Sequence, residues 1–419
     1  MRINHINDNS LNFGNAGIAA FLEENVFLNK ALLDATVDVP FVCFANNKIE
    51  RKERLRRVSV NYTLCFLSPF VTLPLTNRLA MKYVAKLTPK FMSKEHNLIH
   101  ISNKFLKDKD ALKKGIELLS KEKKTDYSKI IETCQGDYEK LRKKLINAKN
   151  AVLSFDFLFS TGSVAGMAFL NNALTKKKTK MDGYSAEFEL ADKETVLKRA
   201  EKYKKTESLR KGITASLVAL LALTPLAIRR GLISAKNTGF SRYIKKIAPH
   251  FDYTNGIFMK RLPLFLFLTA GMTGVALASR NQTEVKNNLL INGAGLAGYF
   301  GGDLLMNSIL SKTSDKIFKT NIIDKSAPKT FLNKIITPTI PIKNLTGKSR
   351  KIANVNFFIN FATVAILYGF GIPKLMNRII RKDLKKDTVK QLPMDNINIE
   401  IIKRDITKRA ALNLNKTDN

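Results

Sequence analysis

The 419-residue chain reads as all-α: a polytopic helical membrane protein with five or six spans and basic amphipathic helices outside the bilayer. Two observations carry that expectation. Six runs of 17 to 22 residues hold no charge, or in one case a single Asp, and at about 1.5 Å of rise per residue such runs nearly or fully cross a hydrocarbon layer of roughly 30 Å. Basic blocks separate them: Lys and Arg number 71 against 35 Asp and Glu, a net charge of +36. A charge of that size calls for anionic partners, and the apolar runs favour anionic lipid headgroups over nucleic acid.

Within 1–57, residues 1–14 are polar and Asn-rich and are expected to be disordered. Ile18, Phe21, Leu22, Ala31, Leu32 and Ala35 then recur at roughly helical spacing, so Gly17 to Ala35 reads as an amphipathic helix on the membrane surface, ended by Pro40. Lys48 to Arg57 is a collar of six cations before the first apolar run. That run, 58–77, contains Pro69 and Pro74 and reads as a kinked or re-entrant span, with Ser68, Thr72 and Thr76 available to satisfy freed carbonyls.

Residues 78–150 form a basic soluble helical insertion, with helices expected near Phe105–Leu119 and Tyr138–Ile146. Span two, 151–175, has Asp156 at its entrance. A soluble helical segment, 176–211, leads into span three, 212–228, with Asp192 to Lys211 running on into it. After a basic loop at 229–261, a helical hairpin over 262–310 supplies spans four and five. A second basic loop, 311–351, precedes span six at 352–373, and 374–419 is a charged tail. Lys and Arg divide almost evenly between the two sets of loops, so the positive-inside rule assigns no orientation.

The stretch from Asn288 to Met306 admits two readings. Gly293, Gly295 and Gly298 fit G-x-G-x-x-G behind Leu289-Leu-Ile291, the strand-turn-helix order of a dinucleotide site. Ala294, Gly298 and Gly302 also stand four apart, a ridge of small residues that lets membrane helices approach closely. The uncharged run just upstream has no place in a Rossmann unit, and the nearest later acid, Asp315, sits in what reads as a turn. The ridge reading is therefore preferred, with Gly271 and Gly274 as its facing surface. This run is the weakest span: eight strongly apolar side chains contribute roughly −2.4 to −4.8 kcal/mol against about +2.5 to +3.5 for a central Asp.

Asp156 and Asp303 are the acids in or beside apolar runs, and an intramembrane carboxylate is a candidate proton relay, cation site or counter-ion; each also reads as a packing or interface acid. His96 and His100 have the i, i+4 spacing of two metal ligands, but no third ligand is evident, H-E-x-x-H is absent, and a solvated helix face is the reading adopted. Cys43, Cys65 and Cys134 form neither a disulfide framework nor a zinc site. Met1 to Ser10 lacks the apolar core of a signal peptide, which leaves insertion to an internal span. No catalytic, cofactor or metal residue is assigned.

Two stretches, Ala45-Asn-Asn-Lys-Ile-Glu-Arg-Lys-Glu-Arg-Leu-Arg-Arg57 and Leu67-Ser-Pro-Phe-Val-Thr-Leu-Pro-Leu-Thr-Asn-Arg-Leu-Ala-Met-Lys82, together with Asn12-Phe-Gly14, resemble a group of uncharacterised basic multi-span membrane proteins of AT-rich bacterial genomes. The resemblance covers under a fifth of the chain. It implies residence in the bacterial inner (cytoplasmic) membrane and supplies no activity. Three functions stay open: a structural or scaffold protein held against anionic lipid, which leads; a small-solute or ion transporter with Asp303 near its pathway; and a nucleotide- or flavin-binding enzyme through Gly293–Gly298. The lipid bilayer is the expected partner, homo-oligomers stay open, and no nucleic acid is expected.

Overall fold

Uninterrupted helix-forming sequence joins segments that polarity alone separates. In the computed structural model, which describes residues 17–234, 239–254, 258–328, 330, 333 and 335–391, the collar and the first apolar run are one helix, Lys48–Val84. It comprises α3 (Lys48–Asn61) and α4 (Pro69–Leu79) with π-helical turns at Tyr62–Leu67 and Ala80–Val84. Ser68, Thr72 and Thr76 each donate to the carbonyl four residues back, at Leu64, Ser68 and Thr72. The run therefore continues as helix through both prolines.

Two short helices precede it, α1 (Gly17–Glu24) and α2 (Val26–Cys43). Two expectations fail here. Helix α2 carries Pro40 inside it and ends three residues later. Nor does it lie outside the bundle: Phe27 and Leu33 belong to the main core, and Phe27 meets Phe66 edge-on with ring centroids 5.4 Å apart. Residues 1–14 lie outside the described residues, as does the tail beyond 391.

After α5 (Lys109–Lys123) and α6 (Ser128–Glu132), the centre of the fold is α7, Tyr138–Thr179, at 42 residues. Asp137 caps it by accepting from the Glu139 and Lys140 N–H groups, and Lys176, Lys177 and Lys178 sit in its last turn where the helix dipole favours cations. No Gly or Pro interrupts the stretch between the expected amphipathic helix and the expected span, so the two fuse. At 1.5 Å per residue it is about 63 Å long, twice a hydrocarbon layer.

Helices α8 (Lys193–Lys204) and α9 (Glu207–Ile233) are separate, where one continuous helix is expected. The Arg210 guanidinium reaches back to the Tyr203 carbonyl at 2.6 Å and across to Leu277 O at 2.6 Å, so the end of α8 is satisfied without a further turn. The stretch expected as a basic loop holds α10 (Gly239–Ile247) and a two-residue antiparallel ladder, β1 (Tyr253–Thr254) with β2 (Phe258–Met259).

The hairpin is present. Helix α11 (Arg261–Leu277) turns at 278–281 into α12 (Gln282–Ala297), which Asn281 caps through the Glu284 N–H. A π-helical turn, Gly298–Gly302, continues directly into α13 (Asp303–Phe318). Asp315 lies within α13, where a turn is expected, and its carboxylate accepts the N–H groups of Ile322 and Ile323. The described residues end with α14 (Gly347–Ile366), a π turn at Leu367–Gly371, and α15 (Ile372–Gln391).

The class is all-α, and among the described residues four helices are long and apolar enough to cross a membrane: Lys48–Val84, Tyr138–Thr179, Glu207–Ile233 and Gly347–Lys385. Arg261–Leu277 is apolar but shorter. The run at 288–309 is not among them, in keeping with the cost of its Asp. Helices α9 and α11 pack on α7, α11 on α12, and α13 on α14.

Candidate functional site

Lys30, Asp34 and Asp38 stand at i, i+4 and i+8 on α2 and therefore share one helix face. Because Phe27, Leu33 and Phe41 on the same helix are buried, that face turns inward. It looks onto Arg56, Arg57 and Asn61 of α3, and the helices between them leave a cavity of about 250 Å³. Helix α7 contributes Ser163, Met167 and Asn171; α11 contributes Gly271, Met272 and Val275; α12 contributes Asn292 and Gly295. Of the four π turns among the described residues, three also reach it, through Leu64 and Cys65, Tyr299, and Tyr368. π turns within α-helices are frequent at functional sites, since the extra residue redirects side chains.

The charges around the cavity are unequally paired. Lys30 forms an ion pair with Asp34 and lies over the Tyr299 ring, 5.5 Å from its centroid. Arg56 donates to Thr175 Oγ1 at 2.6 Å, and Arg57 to Asn288 Oδ1 at 3.1 Å. Asp38 has no hydrogen bond or ion pair with any described residue. Three buried atoms on the lining are without a hydrogen-bond partner: Arg56 Nε, Asn171 Oδ1 and Asn292 Nδ2. A pocket that combines open donors and acceptors with apolar walls suits a small polar molecule.

The acids singled out from the sequence lie elsewhere. Asp303 is held by Arg261 at 3.3 Å and by the Asn360 amide at 2.6 Å, and it is absent from the cavity lining. Asp156 is 2% exposed, well inside α7 rather than at an interface, and accepts from Tyr253 Oη at 2.7 Å and Ser160 Oγ at 3.0 Å.

The glycine ridge meets different neighbours from those expected. A Cβ on Gly298 would stand 2.1 Å from the Tyr368 hydroxyl, so its close partner is the π turn after α14 and not α11. Gly271 and Gly274 pack instead against Val164 and Ala165 of α7, at 3.0 and 2.4 Å from such a Cβ, and Gly302 meets nothing but its own helix. Ala294 is half-buried. The π turn at Gly298–Gly302 breaks the four-residue register on which the ridge depends. Gly293, Gly295 and Gly298 all lie on continuous helix, which removes the strand-turn-helix that pyrophosphate binding needs.

His96 and His100 occupy a 3₁₀ turn, Lys94–His100, where a solvated α-helix face is expected. Buried His96 bonds Thr88 Oγ1 at 2.9 Å and Ser93 O at 2.7 Å. Burial pushes the His100 imidazole down to about 4, with Lys123 and Lys149 acting in the same direction. Among the described residues, no group of three or more His, Cys, Asp and Glu is placed to hold a metal.

A second polar cluster closes the bundle at the collar end. Arg280, 8% exposed, bridges Glu53 at 2.7 Å and Glu284 at 2.8 Å. Beside it Glu187 accepts from Asn281 at 2.9 Å and faces Arg199 at 3.2 Å, while Asp383 joins Lys286 and Thr283.

No protein-family model, curated protein or solved structure matches the chain. Its class therefore rests on this geometry: a helical protein with four helices able to span a bilayer and a cavity lined by charges of both signs. The spacing of Lys30, Asp34 and Asp38 was available as a signal for the site. Without knowing that Phe27 and Leu33 enter the core, the same stripe reads as the wet face of a surface helix.

Proposed function

We propose that the protein resides in the bacterial cytoplasmic membrane, where it binds a small polar solute in the α2–α3 cavity and carries it across the bilayer. The carrying observation is that Asp38, without a hydrogen bond or ion pair to a described residue, lines the same cavity as Arg57 inside a bundle of apolar helices. Ionisable groups are costly at membrane depth and are retained where they serve a pathway or a ligand. The π turns at Tyr62–Leu67, Gly298–Gly302 and Leu367–Gly371 supply the breaks in long helices that carriers use to form a mid-bundle site. In this reading α11 and the 282–318 helix pair as a hairpin that brings the number of spans to six. The resemblance to basic membrane proteins of AT-rich bacteria supports the cellular setting.

The test has two stages. Carbonate extraction should leave the protein in the membrane pellet; release without detergent would end the proposal. Purified protein reconstituted in liposomes should then take up solute from a panel of amino acids, sugars and ions, and Asp38→Asn should reduce uptake at least about tenfold. Equal uptake by empty liposomes and both protein forms would favour the second reading, a scaffold held to anionic lipid, which the net charge of +36 supports.

A further inference from the structure

The open valences of the cavity are of two kinds. Asp38 and Asn171 Oδ1 are acceptors without donors, while Arg57, which donates once to Asn288, stands with Arg56 Nε and Asn292 Nδ2 as donors with capacity to spare. Asp38 is attracted by Lys30 and Arg57 and repelled by Asp34, yet it accepts no hydrogen bond from a described residue, and Arg57 feels Asp38, Glu284 and Glu53 while donating only to Asn288, so an uncharged solute would leave neither group with a charged hydrogen-bond partner. A simple anion would leave Asp38, and a simple cation would leave Arg57. Only a molecule with both charges meets both, and a planar guanidinium matches a carboxylate in particular. The remaining wall is apolar, with Leu64, Met167, Met272 and Val275.

We infer that the cavity takes a small zwitterion with one ammonium, one carboxylate and a compact apolar body, the ammonium on Asp38 and the carboxylate on Arg57. This rests on the solute-binding reading and names its substrate class. Lys30 and Asp34 satisfy each other and stay in place as a spacer along the stripe. The polar atoms of Asn171 and Asn292 bring further hydrogen bonds to the two ends of the ligand.

The probe is L-leucine, with 3-methylbutylamine and 4-methylpentanoate as analogues that each keep one charge. Binding of radiolabelled leucine to the full chain in detergent should be displaced by unlabelled leucine, and by either analogue at least about 30-fold more weakly, the cost of leaving one buried charge unpaired. Asp38→Asn should reduce leucine affinity to that of 4-methylpentanoate, and Arg57→Gln should reduce it to that of 3-methylbutylamine. That crossed pattern is not expected from misfolding, which would weaken all three compounds together.

Several results would overturn the inference: analogues that compete as well as leucine, variants that bind leucine like the native chain, or no binding of any neutral amino acid by folded protein. Leucine binding lost in phosphatidylethanolamine nanodiscs but kept in phosphatidylcholine would also overturn it, assigning the site to a lipid headgroup. Uptake of a sugar or a simple ion in the liposome panel, with leucine silent, would sink the zwitterion and leave the carrier reading. Leucine binding without leucine uptake would do the reverse.

Discussion

The collar-end cluster and the α2–α3 cavity are built from the same residue types in the same bundle, and differ in whether their central charges are joined by direct ion pairs. At the collar end Arg280 reaches two carboxylates, and both are held by it. In the cavity Asp38 and Arg57 attract each other without a hydrogen bond between them, and the amide atoms Asn171 Oδ1 and Asn292 Nδ2 remain without partners. Removing one member of a closed ion network leaves a charge stranded, whereas an open charge beside a cavity is already stranded until a ligand arrives. The first arrangement fixes helices; the second stores binding capacity.

Arg280→Met gives the largest expected effect. Glu53 and Glu284 would be left buried without a cation, at about 3–5 kcal/mol, read as a large fall in thermal stability in detergent; a variant as stable as the native chain would remove the contrast between the two regions. Gly298→Leu comes next, at roughly 1–3 kcal/mol of overpacking. Its side chain would displace the Tyr368 ring, which also lines the cavity, so solute binding should fall along with stability, and a loss of stability alone would disconnect that helix contact from the site.

The pH profile probes two places outside the spans. Burial pushes the Glu187 carboxyl up to about 7, against the downward pull of Arg199 and Asn281. The folded chain therefore holds that proton more tightly than the unfolded chain, and the resulting stability is complete below about pH 4.5 and lost as pH rises through 7. His100 has the opposite sense: with its imidazole pushed down to about 4, its contribution is complete above pH 6.5 and lost as pH falls through 4. Melting temperature against pH should show both arms, Glu187→Gln flattening the upper and His100→Gln the lower. Two unchanged profiles would mean that neither group is desolvated in the folded protein.

Asp38→Asn has the smallest expected effect on stability, within about 1 kcal/mol, because Asp38 makes no hydrogen bond or ion pair with a described residue and the relief of its desolvation and of its repulsion with Asp34 offsets the lost attraction to Lys30 and Arg57. Destabilisation comparable to that of Arg280→Met would show that Asp38 is part of a closed network, and the distinction between the two regions would fail.

The helical class follows from the sequence itself, and of the six runs read as five or six spans, four lie in the long apolar helices found among the described residues, since run length and the scarcity of charge are one-dimensional properties that set the transfer energy of a helix. The weakness of the 288–309 run follows in the same way, from one Asp against eight apolar side chains. The continuity of helices was not legible: Tyr138–Thr179 and Lys48–Val84 each cross a boundary drawn by polarity, although polarity alone does not end a helix. The site was half legible. Three charged residues at helical spacing on α2 were visible, but which side of a short amphipathic helix is wet depends on what packs against it, and here Phe27 and Leu33 enter the core. Conversely Asp303, conspicuous because it interrupts an apolar run, is answered by Arg261 and Asn360 from other helices. Sequence locates a buried charge by its neighbours along the chain; only the tertiary structure brings or withholds its partner through space, and that pairing decides between a structural ion pair and an open binding site.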